Sequence, residues 1–333
     1  MPWVVGIDEA GYGPNLGPLV QAAAILWMPP EDLSGWKTYS DSVRRCEDSV
    51  DDRFLIDDSK KVHSGSRKLQ RLERTVLPLK NISIVLPENV RQITFRQLLS
   101  PVFSTAVEET DDPGLCVEPW YDPQMLLPRE WDAVEVETCL EMFSRWCTVS
   151  SSYFIQPRIA TASEINKVIH ATGNKASVLA NGLIELLRFS LQFSKNVCDE
   201  TLQGESILFL CDKQGGRHFY APLLQEAFPD GWIVADREGP AESRYRVMNL
   251  GRDITVSFRP KADGDSVSVA LASMLAKYLR EICMMQFNAF WAKHVPGLKP
   301  TAGYPLDAKR YYAEIEPAME SLGIAKDAVW RVK

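Results

Sequence analysis

Apolar and polar positions alternate along this chain in two different periods. Val4-Val5-Gly6-Ile7 and Leu19 to Trp27 are almost unbroken apolar runs on either side of a turn rich in glycine and proline. Such runs predict strands covered on both faces, because a strand with one wet face would alternate. Ser152 to Ile159, Ile207-Leu208-Phe209-Leu210-Cys211 and Thr255 to Phe258 read as three further strands. From Ser266 the period lengthens: Val267, Leu271, Met274, Leu275, Tyr278, Ile282 and Met285 recur at steps of three and four, which predicts one long amphipathic helix. Ile165, Val168 and Ile169 share a helical face behind Ser163, a residue type suited to an N-cap, and helix is expected to continue to about Phe193. Ser64-Gly65-Ser66 could cap a shorter helix carrying Arg67, Lys68, Arg71 and Arg74. Strands separated by helical stretches predict an α/β fold.

The segment 85–147 breaks this rhythm. It carries prolines, a dense acidic block and Trp120, Trp131 and Trp146. Structureless loops of that length are uncommon inside a compact domain, so an inserted subdomain is expected there, with 1–84 and 148–333 forming the principal domain. The three tryptophans are expected to pack the insertion's own core.

Charge sharpens the division. Residues 103 to 141 hold eleven acids and one base, a net of −10 against −7 for the whole chain, so the remainder is mildly basic at about +3. Between 59 and 80 seven bases face one acid, Glu73, which is the density a phosphate-tracking surface needs. The acidic block could be a solvated surface, a partner-binding element or a phosphate mimic that covers the basic run. No stretch reaches the roughly 18 apolar residues of a membrane span, and Met1-Pro2-Trp3 leads straight into a strand; a cytoplasmic location is expected. The seven cysteines are odd in number, scattered and never spaced CxxC, which suggests neither a disulfide framework nor a zinc site.

Three of the strands stop on an acid. Val4 to Ile7 runs into Asp8 and Glu9, Ile207 to Cys211 into Asp212, and the strand at Thr255 to Ala262 into Asp263. Ligands of open α/β sheets collect at strand ends, so acids from separate strands can converge there. Clustered carboxylates repel, and a hard divalent cation relieves the repulsion; oxygen ligands with few histidines select Mg²⁺ or Mn²⁺. Two such ions about 3.5–4 Å apart suit an in-line displacement at a phosphodiester. Consecutive strand residues point to opposite faces, so Asp8 and Glu9 share a metal only if the strand ends at Asp8 and turns, which Gly11 and Gly13 would permit.

The run GIDEAGYGPNLGPLV at 6–20 resembles the opening motif of type 2 ribonucleases H. Asp58-Ser59-Lys60-Lys61, Ala162-Ser163-Glu164-Ile165-Asn166 through Ala171-Thr172, Lys261-Ala262-Asp263 with Ser268 to Lys277, and Gly303-Tyr304-Pro305-Leu306-Asp307 resemble further elements of that family, in family order, from residue 4 to about 312. The resemblance implies a ribonuclease H-like fold, with a central mixed five-stranded sheet flanked by helices. It also implies endonucleolytic cleavage of RNA in RNA–DNA hybrids or ribonucleotide-containing duplex DNA, leaving 5′-phosphate and 3′-hydroxyl ends. Asp8, Glu9, Asp212 and Asp263 would be the catalytic and metal-binding quartet. Gly11, Tyr12 and Gly13 would form the loop whose backbone senses the ribose 2′-hydroxyl. Tyr304 would press on the same nucleotide, and Lys60 would contact phosphate.

Two departures bear on the substrate. The family usually has Arg or Lys where this chain has Tyr12, and a base where it has Asp265, which could add a ligand, cap the following helix or weaken phosphate binding. His218 follows Asp212 by six residues and titrates near neutrality, yet a structural role is the expectation for a lone histidine. A nuclease of the same fold with a different nucleic-acid substrate is the first alternative. A non-catalytic binding or scaffold protein is the second.

Overall fold

The computed structural model describes residues 2–80, 92–100, 118–130, 133–149, 153–195 and 205–332. Its centre is a sheet of β1 (Trp3–Ala10), β2 (Leu19–Trp27), β3 (Tyr153–Ala160), β4 (Ile207–Asp212), β5 (Trp232–Arg237), β6 (Ser243–Met248) and β7 (Ile254–Arg259). The strand order is β3-β2-β1-β4-β7-β6-β5. β2 pairs antiparallel with both β1 and β3, whereas β1, β4 and β7 lie side by side and parallel. The sheet is mixed and flanked by helices, as expected, with seven strands in place of the expected five. The extra two are the antiparallel β5 and β6, added at the outer edge of β7.

Both faces of the sheet's centre are buried, as the unbroken apolar runs require. Val5 and Ile7 join Phe209, Val256 and Phe258 in a core closed by α4 (Ala176–Lys195) and α5 (Ala221–Ala227). Val4, Ala22 and Ala24 face the other way, onto α6 (Val267–His294). Gly6 marks how tightly that helix sits: a β-carbon there would lie 2.2 Å from the Ser268 carbonyl carbon and the Val269 nitrogen. Ser266 caps α6 through the Ser268 N–H, which fixes where the helix starts behind β7.

The capping expectation at residue 163 is corrected. α3 (Ala162–Thr172) begins directly after β3, and Thr161 is its N-cap, accepting the Glu164 N–H; the Ser163 hydroxyl donates instead to Glu118. The basic helix is present as α1 (Lys68–Lys80), but its bases do not form one surface, since Lys80 is buried and donates to the Ser100 carbonyl at 3.1 Å. α7 (Pro305–Leu322) completes the set that matters for the site.

Described parts of 85–147 pack into the same core as the sheet. Within α2 (Ala133–Val149), Trp146 stacks on Tyr39 at 4.6 Å, while Trp120 meets Phe287 edge-on at 5.3 Å. Glu108, Glu109, Asp111, Asp112, Trp131 and Asp132 lie outside the described residues; of the block's described acids, Glu130 accepts the Gln70 N–H of the basic helix at 3.1 Å. Among the described residues no helix is long and apolar enough to cross a membrane.

Candidate active site

Three adjacent parallel strands bring their carboxyl ends to one edge, and each delivers an acid there. Asp212 is the last residue of β4, and Asp263 sits in the short turn Ala262–Gly264 that follows β7. Asp8 and Glu9 lie within β1, which runs on to Ala10 and stays paired with β2 at Ala22 and Gln21. The expected strand end at Asp8 is therefore corrected. β1 reaches the cleft differently: its pairing with β4 stops at Ile7–Cys211, so its last residues overhang on that side. Asp8 shares the face of Val4 and Gly6, and Glu9 that of Val5 and Ile7, yet both border the gap at the overhang.

That gap is a cleft of about 540 Å³ whose lining includes Asp8, Glu9, Gly11, Lys60, Asp212, Asp263 and Tyr304. All four acids of the quartet thus share it with three of the five residues expected to bind substrate. Tyr12 and Gly13 are not in its lining. The Tyr12 ring carries the Lys175 ammonium over its face at 4.7 Å and packs on the Leu19–Ile165 cluster, while Gly13 is exposed. Gly11 does use its freedom: φ is +93°, and a β-carbon would lie 2.5 Å from Arg280 Nε and 2.6 Å from the Pro18 oxygen.

Burial holds every member of the quartet above the ordinary carboxylate range, and repulsion between acids adds to it at Asp8, Glu9 and Asp263. Asp8 is pushed up to about 7, chiefly by burial, then by Asp212 and Asp263 against the opposing hydrogen bonds of Ser273 and the Glu9 N–H. Glu9 is raised well above its usual value by burial, Asp8 and Asp212. Asp212 is raised by burial in spite of N–H groups from Ala262, Lys261 and Lys213. Burial, Asp58 and Asp212 raise Asp263. Lys60, which lines the same cleft, opposes the shift at Glu9, Asp212 and Asp263.

The backbone around Lys60 is itself braced. Asp58 caps the turn Ser59–Val62 by accepting the Lys60 N–H at 2.8 Å, and the Ser273 hydroxyl donates to Ser59 at 3.0 Å from α6. Lys61 is turned to the buried Asp57 at 3.2 Å. Ser273, Lys277 and Arg280 line the cleft from α6 and were not singled out as site residues by sequence reasoning. Their spacing of four and three was the available signal, a polar stripe along one side of an otherwise apolar helix. Asp265 lies outside the cleft, near Arg259 at 3.9 Å, and Ser266 takes the cap. His218 Nδ1 is 3.3 Å from Lys213 Nζ, in the contacts between the end of β4 and the β5–β6 turn.

Among the described residues no three Asp, Glu, His or Cys groups converge as a ready-made metal cage. Asp8 Oδ1 accepts the Glu9 N–H at 2.7 Å and Asp212 Oδ1 that of Ala262 at 3.1 Å, so part of their donor capacity is turned to backbone. The donor set still fits a hard divalent ion. It is all oxygen, it borders an open cleft, and its four acids are short of positive charge.

This charge deficit has a stability consequence. Because the folded-state pKa of Asp8 is raised, ionised Asp8 destabilises the fold; the penalty is complete above about pH 7 and vanishes below the unfolded value of 3.8. Each unit of upward shift costs roughly 1.4 kcal/mol once the group is ionised. Asp8→Asn is therefore expected to melt several degrees above the wild type at pH 8 in chelator, with the gap closing toward pH 5. Calorimetric melting across that range checks it, and Mn²⁺ at pH 8 should raise the wild type more than the variant. A gap that does not vary with pH would contradict the assignment.

No family model matches the chain, and no curated protein matches it. Among solved structures it is similar to the ribonuclease HII of Archaeoglobus fulgidus, solved as a complex with PCNA. Identity is 13% over 99% of this chain and 94% of that one, with a TM-score of 0.40. Ribonuclease H2 of Pyrococcus horikoshii is 16% identical over 98% of this chain and 92% of its own, with a TM-score of 0.41. Bst-RNase HIII in complex with Mn²⁺ is 12% identical over 99% and 66%, with a TM-score of 0.43. These neighbours are ribonucleases of types HII, H2 and HIII, and the likeness is distant.

Proposed function

We propose that this chain is a metal-dependent endonuclease that hydrolyses the RNA strand of RNA–DNA hybrids, or cuts at ribonucleotides embedded in duplex DNA. One observation carries the reading: Asp8, Glu9, Asp212 and Asp263, from three neighbouring parallel strands, border one cleft together with Lys60 and Tyr304. The motifs around these residues supply the substrate class.

The four carboxylates would hold Mg²⁺ or Mn²⁺. When bound, the ion supplies Lewis-acid stabilisation of charge building on the scissile phosphate and on the leaving 3′-oxygen. Lys60, which lines the cleft with the acids, would neutralise the incoming phosphate. Tyr304, 55% exposed at the cleft wall, offers its ring to the nucleotide next to the cut. Asp8 is buried and Glu9 half-buried at the cleft's edge, which strengthens the charge interactions there.

A second reading keeps the chemistry and changes the target. Tyr12 stands outside the cleft lining with Lys175 over its ring, so the cation at this rim comes from a different element than the motif would suggest. A labelled panel of hybrid, single-ribonucleotide duplex, double-stranded RNA and branched DNA, each with Mg²⁺ and Mn²⁺, separates the two. Cleavage confined to the first two substrates is expected. A Tyr12→Arg variant should change kcat/KM by about tenfold or less. Cutting of branched DNA alone would move the protein to the second reading.

A further inference from the structure

Arg331 is 1% exposed, and among the described residues it makes no salt bridge. Its two terminal nitrogens are turned to one loop. Nη1 donates to the Gly11 carbonyl at 2.6 Å and reaches that of Gly17 at 3.4 Å, while Nη2 donates to the Tyr12 carbonyl at 3.2 Å. The chain around it is stitched to the same place. Leu16 bridges to Trp330, the Arg331 N–H donates to the Asn15 carbonyl at 2.8 Å, and Asn166 holds the Trp330 carbonyl and the Val332 N–H at 2.8 Å each.

A trans peptide sets its C=O and the next N–H in opposite directions. With the Gly11 and Tyr12 carbonyls drawn onto Arg331, the Tyr12 and Gly13 N–H groups must point away from it. Neither N–H has an acceptor among the described residues. Gly13 adds no obstruction, since a β-carbon there would meet nothing within 4 Å. Two unspent donors are thereby held side by side, next to the cleft that Gly11 lines.

A second buried guanidinium locks the opposite wall to this loop. Arg280, 2% exposed, donates to the Ala302 carbonyl at 2.8 Å, and the Asn15 N–H donates to the Gly303 carbonyl at 2.8 Å. Tyr304 and the Gly11–Gly17 loop are therefore parts of one braced unit. A hydrophobic side chain of similar volume would fill the space of Arg331 without the cost of burying a cation, so filling that space does not account for the charge.

We infer that Arg331 is a positioning residue that presents the Tyr12 and Gly13 N–H groups to an oxygen of the substrate's ribose or phosphate. The ligand in this inference rests on the proposed nuclease function; the brace itself does not. The test compares the wild type with Arg331→Met and Arg331→Lys in the full chain, reading amide hydrogen exchange, melting temperature, and KM and kcat on a labelled RNA–DNA hybrid. In Arg331→Met, amides 11–17 should exchange about tenfold faster and KM rise by about tenfold, the weight of one or two hydrogen bonds. The change in kcat should be smaller, and the lysine variant should recover part of both effects.

Unchanged exchange at 11–17 overturns the inference. So does a loss in kcat at constant KM, which would put the effect on the chemical step and not on binding, or faster exchange spread over the whole chain with a fall in Tm, which would make Arg331 a stability residue. If the methionine variant does not fold, the lysine variant decides by the same criteria, and failure of both to fold also overturns it. A wild type that cleaves no hybrid sinks the nuclease reading, whereas loop-confined exchange would still uphold the brace.

Discussion

Gly6→Ala is expected to leave little folded protein. The added β-carbon would sit 2.2 Å from the Ser268 carbonyl carbon and from the Val269 nitrogen, both backbone atoms of α6. A flexible side chain could swing aside; a helix that is packed on β1 and β2 along their buried faces cannot. Relief requires α6 to move off the sheet, which opens a gap under Leu271, Met274 and Leu275 and loses their packing. Overpacking of this kind costs about 4 kcal/mol or more at its worst, a large part of the 5–15 kcal/mol that keeps a domain folded. Calorimetry should show a Tm lower by on the order of 10 °C or no cooperative transition. A variant that melts like the wild type would mean that α6 does not press on β1 as described.

Asp8→Asn is expected to abolish hydrolysis while leaving the fold more stable. Asn keeps the shape and can still accept the Glu9 N–H that Asp8 accepts at 2.7 Å. What it loses is the charge at the point where Asp212 and Asp263 act on Asp8. A divalent ion then faces three acids instead of four, and a loss of roughly a thousandfold or more in kcat follows from removing one member of a metal-holding set. The same substitution removes a buried charge, which is the origin of its higher melting temperature at pH 8. Opposite signs for activity and stability identify a group kept for function at the fold's expense. Loss of both together would point to ordinary unfolding.

The sheet's centre was legible because its strands are covered on both faces and so announce themselves as unbroken apolar runs. The edge was not. In β6 the buried Ser243, Tyr245 and Val247 alternate with Arg244, Arg246 and Met248, and one of the buried three is a serine, so the apolar signal nearly vanishes. β5 is mostly exposed, Trp232 included. α7 does carry Ala308, Tyr311, Ile315 and Met319 at helical spacing, but Pro305 and Pro317 and many charges dilute it.

The site divides along the same physical line. Acids that end apolar strands stand out, and Asp8, Glu9, Asp212 and Asp263 meet in one cleft as their positions implied. How Glu9 gets there was misjudged, because where β4 stops relative to β1 is a property of pairing and not of either strand alone. Ser273, Lys277 and Arg280 left a readable stripe on α6. Arg331 left none: its carbonyl partners are more than 300 positions away in sequence, and only folding brings them together.

The central claim is that the four-acid cleft cuts RNA in a hybrid. Its most direct measurement is hydrolysis of an end-labelled RNA–DNA hybrid in Mn²⁺ or Mg²⁺ by the wild type and by Asp8→Asn combined with Asp212→Asn, with the product ends identified. The account predicts metal-dependent internal cuts in the RNA strand by the wild type, leaving 5′-phosphate and 3′-hydroxyl ends, and none by the double variant. Wild-type-level cleavage by the double variant, or no cleavage by a wild type supplied with either metal, would contradict it.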